Sequence, residues 1–134
     1  MDDEISRVLL KYEKYFWERS KAYELCELIS KRIERRVHRK VILQEWKTDI
    51  GWSFYSTRNF TSAGWRKAKQ SLVIQANKKW VDRAGVSGLA DATTENGWHG
   101  EPSCIWYVRA GDVDKRERVA GYLAQICIAR HRSK

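Results

Sequence analysis

The stretch Arg35-Arg36-Val37-His38-Arg39-Lys40-Val41-Ile42-Leu43-Gln44-Glu45-Trp46-Lys47-Thr48-Asp49-Ile50-Gly51-Trp52-Ser53-Phe54-Tyr55-Ser56 decides the fold, because the spacing of its apolar residues changes partway through. After Lys40, β-branched and aromatic residues crowd together and alternate, with Ile50, Trp52 and Phe54 on one face and Ser53 and Tyr55 on the other. That is a strand pattern. Val41 to Lys47 and Ile50 to Ser56 are therefore expected to form a hairpin around Thr48-Asp49.

Upstream of Lys40, apolar residues recur in steps of four and three: Ile5, Leu9, Tyr12, Phe16, then Tyr23, Cys26, Ile33 and Val37, with Val8, Tyr15 and Ile29 widening the stripe. This predicts an amphipathic helix of about 33 residues. Asp2, Asp3 and Glu4 at its start and the cations at its end complement the helix dipole. Arg19 and Ser30 interrupt the stripe and leave room for a bend, or for a distal part that leaves the core.

Downstream, Ser71 to Ala76 and Ser103 to Arg109 predict two more strands. Between them Gly85 to Glu101, with four of the eight glycines, predicts a long loop containing at most a short strand over Val86 to Ala90. Asp114-Lys115-Arg116-Glu117 has capping-box spacing, and Val119, Tyr122, Leu123 and Ile126 then follow at helical intervals, so a closing helix of about 17 residues is expected. The expectation is one α+β domain over residues 1–134. It has a long N-terminal helix, an antiparallel sheet of four to five strands, and a C-terminal helix on the same face.

Its 134 residues are 43% hydrophobic and 32% charged, an ordinary globular balance, and no apolar run is long enough to span a bilayer. The three cysteines Cys26, Cys104 and Cys127 have no paired spacing and fit buried thiols in a cytoplasmic protein.

The formal charge is +9, and it is clustered. Residues 31–40, 65–84 and 115–134 each hold six cations against one acid, net +5 apiece. Seven Trp and six Tyr accompany them, and Trp46, Trp65 and Trp80 adjoin lysine or arginine. Cations neutralise phosphates with release of counterions, and aromatic rings give unpaired bases a stacking surface. The expected function is binding of nucleic acid or a nucleoprotein complex. The candidate residues are Arg32, Arg35, Arg36, Arg39, Lys40, Arg66, Lys67, Lys69, Lys78, Lys79, Trp65 and Trp80. Trp17, Trp52 and Trp106 are expected in the core instead.

An alternative is a protein-binding or self-associating module using the aromatic N-terminal helix, which carries Tyr12, Tyr15, Phe16, Trp17 and Tyr23. Enzyme motifs are sparse. Glu45-Trp46-Lys47 has the spacing that puts an acid and a lysine on one strand face, as metal-dependent nucleases require, but no partner acid is evident. Asp91, Glu95, His99, Glu101 and Cys104 lack the spacing of a metal site. No catalytic residue, metal ligand or cofactor is assigned.

Overall fold

The computed structural model describes residues 3–132, the side chains of Asp3 and Tyr12 excepted; Asp2 and Lys134, counted above in the N-terminal acids and the third basic block, lie outside the described residues. Helix α1 (Asp3–Val37) leads into strands β1 (Ile42–Glu45), β2 (Gly51–Ser56), β3 (Arg58–Arg66) and β4 (Ser71–Asn77). A short helix α2 (Lys78–Ala84), strands β5 (Ala92–Trp98) and β6 (Glu101–Arg109), and helix α3 (Val113–Arg132) complete the chain. All six strands join one antiparallel sheet in the order β1-β2-β3-β4-β6-β5. The α+β class, both long helices and the predicted hairpin are present, with six strands rather than four or five.

The two extra strands have different origins. In β3, Asn59 to Gly64 is mostly small and polar, so it lacks the β-branched density of a strand. Those small residues serve space: Ala63 is wholly buried under the helices. β5 is an exposed edge strand whose order comes from pairing with β6 rather than from its own sequence. The Val86 to Ala90 segment is not a strand but a 3-10 turn over Ser87–Leu89. α2 went unpredicted because seven residues carry too little periodicity. Its start and stop signals are nevertheless present, since the Asn77 side chain accepts from the Lys79 N–H at 2.9 Å and Gly85 closes the helix at φ 74°. The cap of α3 is Asp112, which accepts from the Lys115 N–H at 3.0 Å, and Asp114 lies inside the first turn.

The core lies between the helices and one face of the sheet. Trp52, Phe54, Leu72, Ile74, Trp106 and Val108 face Ala22, Cys26, Ile29 and Ile33 of α1 and Leu123 and Ile126 of α3. Trp52 and Trp106 are buried as expected, whereas Trp17 is 56% exposed. The reason is that α1 enters the core only from Glu18 onward, so the part that leaves the core is its N-terminal half. Glu18, itself buried, anchors the point of entry by accepting from Trp65 Nε1 at 2.7 Å and from Gln70 Nε2 at 3.0 and 3.1 Å.

Candidate nucleic-acid interface

On the sheet face opposite the core the register places Ser53, Ser62, Gly64, Val73 and Gln75 side by side, and Tyr15 of α1 lines the hollow over them. Across the β1 end lies Trp46. Gly51 and Gly64 are direct cross-strand partners, and together they leave a bed without side chains on which the indole rests. A Cβ on Gly51 would collide with that ring, and one on Gly64 would come within 3.2 Å of it. Trp46 Nε1 donates to Ser53 Oγ at 3.1 Å, which fixes the indole in the plane of the bed.

At the far side the β5–β6 hairpin forms a wall. Pairing shifts register between Thr94 and Trp98, and His99 takes a left-handed φ of 50° in the turn. Gly97, Trp98 and His99 are thereby brought over the face, with the Trp98 and His99 rings edge to face at 5.7 Å. Between Trp46 and this wall lies an open cleft of about 740 Å³, floored by Ser53, Asn59, Ser62, Val73 and Gln75. Its volume is in the range of small-ligand sites, but its floor is rich in hydroxyls and amides. Asn59 Oδ1 is a buried acceptor with no hydrogen-bond partner among the described residues.

Cations stand at both mouths. Arg66 and Lys67 line the cleft near Trp46. At the other end, Asn59, Trp98 and His99 also border a recess of about 350 Å³ that adds Asn77, Lys79, Trp80, Glu101 and Arg130. Trp80 is ringed by cations, with Arg130 Cζ 4.6 Å and Lys79 Nζ and Arg83 Cζ each 5.0 Å from its ring centre. Burial, with the charge of Arg58 close by, lowers the Arg130 guanidinium from its ordinary value. At the Trp46 end desolvation, with the neighbouring Lys14 ammonium adding to it, lowers Lys67.

The residues singled out from the sequence are thus distributed rather than united. Arg66, Lys67, Trp65, Lys79 and Trp80 line the cleft or its adjoining recess. Trp65 is half-buried, and its indole N–H is taken by Glu18. Lys69 lies in the turn between β3 and β4, and Lys78 pairs with Asp82 at 2.9 Å. Arg32 pairs with Glu117 at 2.9 Å, Arg36 lies over Gly121 of α3, and Arg39 contacts His131, so these belong to the helix side; Arg35 and Lys40 are exposed nearby.

Glu45 is held by Arg19, 2.5 Å from its Nε, whose hydrogen bond and charge outweigh desolvation and keep the carboxyl below its ordinary value. The acids of the 85–101 segment are likewise separated. Asp91 holds Lys115 at 2.7 Å and the Tyr107 N–H, Glu101 accepts from Asn77, and Cys104 is buried on the helix side. Among the described residues no three His, Cys, Asp or Glu side chains are grouped so as to hold a metal ion, and no helix is long and apolar enough to cross a membrane. Trp98, Asn59 and Gln75 are not among the candidates drawn from the sequence; Trp46 is marked there only by the adjoining Lys47, and its place over the two glycines emerges from the hairpin register. Comparison of the chain with protein-family models, with curated proteins and with solved structures finds no match to any of the three.

Proposed function

We propose that the protein binds single-stranded nucleic acid along the open face of its sheet. The observation that carries this is a hydrogen-bonding floor between two indoles, Trp46 and Trp98, with cations at both mouths, Arg66 and Lys67 at one and Lys79 and Arg130 at the other. Indoles stack on any base, hydroxyls and amides meet base edges, and the cations meet phosphates. The floor from Asn59 to Arg66 is roughly 23 Å long at the rise of a β-strand, enough for about four nucleotides, the low end of known single-strand site sizes. A duplex is too wide to place bases between the two indoles, so a single strand fits better. Three buried free thiols agree with a cytoplasmic setting.

The test is tryptophan-fluorescence titration with a short mixed-sequence oligonucleotide across a salt series. Three or four phosphates neutralised at the mouths give a slope of log K against log salt of about −2 to −3. Trp98→Ala weakens binding by about 5- to 150-fold, the range for one lost stacked base. Absence of binding at low salt, or tighter binding of a duplex than of either of its strands, overturns the proposal.

A further inference from the structure

Residues from all three basic blocks of the sequence meet at one end of the sheet. Asn59 stands near the start of β3, Asn77 ends β4, and Ile42 of β1 pairs with Tyr55 of β2, so the turn at Thr57, the start of α2 and the link from α1 to β1 all lie there. Trp80 borders the recess at this end, with Arg130 of α3 4.6 Å and Lys79 5.0 Å from its ring centre. Arg58 is close enough that its charge, adding to burial, disfavours the charged form of Arg130. One residue before Arg58, the Thr57 hydroxyl is 3.3 Å from His131 Nε2, and the same ring nitrogen is 2.7 Å from Arg39 Nη1.

These contacts make one row that runs from the mouth of the cleft to the helix side: Trp80, Arg130, Arg58, Thr57, His131 and Arg39. Arg58 and Arg39 are exposed along it. The row is held in place at its middle. Ser56 and Arg58 still pair across the turn, so Thr57 makes it alone, at a left-handed φ of 66° that is costly for a β-branched residue and persists only where the surroundings impose it. The carboxylates at either end of the row are engaged, since Glu101 of the recess accepts from Asn77, and Glu34 of α1 accepts from the Val41 N–H at 3.1 Å. Like charges gathered this closely repel one another, and a polyanion laid across them relieves the repulsion. The cleft opens directly onto this row at Trp80, so a strand longer than the cleft meets it on leaving. A single strand can turn the corner of a sheet, whereas a duplex, stiff over about 150 base pairs, cannot.

We infer that a longer single strand continues from Trp80 around the end of the sheet onto the helix side, with Arg58 and Arg39 holding phosphates beyond the cleft. The inference rests on the reading of the open face as a single-strand site and extends it. Bases stack within the cleft, and past Trp80 the row holds the backbone through its charge alone.

Fluorescence titration of the full chain with mixed-sequence DNA strands of about four and about ten nucleotides, each over a salt series, tests this. The cleft alone gives the shorter strand a slope of log K against log salt of about −2 to −3, and two further phosphates, at about 0.7 each, steepen the slope of the longer strand by about 1.4. Extra registers on a longer strand multiply its affinity without changing its salt slope, so the slope is the readout. Arg39→Gln combined with Arg58→Gln is expected to remove the increment from the longer strand and to leave the slope and affinity of the shorter one unchanged. A circular-dichroism melt shows whether the double variant folds. Arg58→Gln by itself, which keeps the contact between Arg39 and His131, carries the same comparison with about half the loss of slope. No binding of either length at low salt overturns the open-face reading and this extension with it. Binding of both lengths with slopes that the substitutions leave unchanged, or lower equally for the two, overturns the extension alone.

Discussion

Replacing Glu18 by Ala should destabilise the fold by about 3 kcal/mol, from two charge-assisted hydrogen bonds at roughly 1.5 kcal/mol each. The carboxylate accepts from Trp65 Nε1 at 2.7 Å and from Gln70 Nε2 at 3.0 Å, and its side chain is buried where α1 meets the β3–β4 turn. Gln70 keeps other partners, donating to the Lys67 carbonyl at 2.9 Å and accepting from Lys21 Nζ at 2.9 Å, so the loss falls mainly on the indole. A chain of this size loses roughly 3 to 5 °C of melting temperature per kcal/mol, so thermal unfolding followed by circular dichroism should shift by about 10 °C. Trp65→Phe removes the same bond from the other side. The two substitutions together should therefore cost about 1 to 1.5 kcal/mol less than the sum of the two singly, the coupling expected of direct partners. A Glu18→Ala loss below about 1 kcal/mol, or strict additivity with Trp65→Phe, refutes the reasoning.

Acid should weaken the protein in a defined direction. Burial works to raise the Glu18 carboxyl, but Trp65, Gln70, Lys21 and Lys67 outweigh it, so its folded value is lowered; Asp82, bound by Ser87 and Lys78, is lowered too. A lowered carboxyl contributes stability that is full above its unfolded value near about 4 and is lost as pH falls through the folded value. Denaturant melts between about pH 6 and about pH 3 should show this decline, and Glu18→Gln should flatten it. Gly51→Ala places a methyl in the Trp46 ring and should cost about 1 to 3 kcal/mol while shifting the Trp46 indole resonance. Asp112→Ala removes the cap of α3 and should cost about 1 kcal/mol, read from the same melts. Burial pushes the Cys26, Cys104 and Cys127 thiols up, so a thiol reagent such as DTNB should find none reactive in the native protein and all of them after unfolding.

Where the sequence was legible, one property dominated the local pattern. The stripe of α1, the alternation of Gly51 to Ser56 and the apolar run of Ser71 to Ala76 each reflect burial on a single face, and periodicity reports burial directly. β3 was hidden because its small residues answer to neighbours far along the chain: Ala63 makes room for the helices and Gly64 for Trp46. β5 was hidden because an exposed edge strand needs no apolar face. Trp17 was misplaced because the stripe runs through α1 without showing where the core ends.

The candidate site suffered most, since charge blocks contiguous in sequence are not contiguous in space. Lys69 and Lys78 stand at opposite ends of β4, and the 31–40 block turned to the helix side, where Arg32 met Glu117 and Arg39 met His131. The cleft is built from scattered residues of five strands or their flanks together with Tyr15 of α1, and such a set becomes visible only once the register is known.

The most direct measurement is a two-dimensional NMR titration of the indole N–H resonances with a short single-stranded oligonucleotide at low salt. Binding on the open face should move Trp46 and Trp98 first and furthest and Trp80 next, while Trp52 and Trp106, buried on the helix side, stay in place. Shifts confined to Trp17, or spread evenly over all seven indoles, would contradict it.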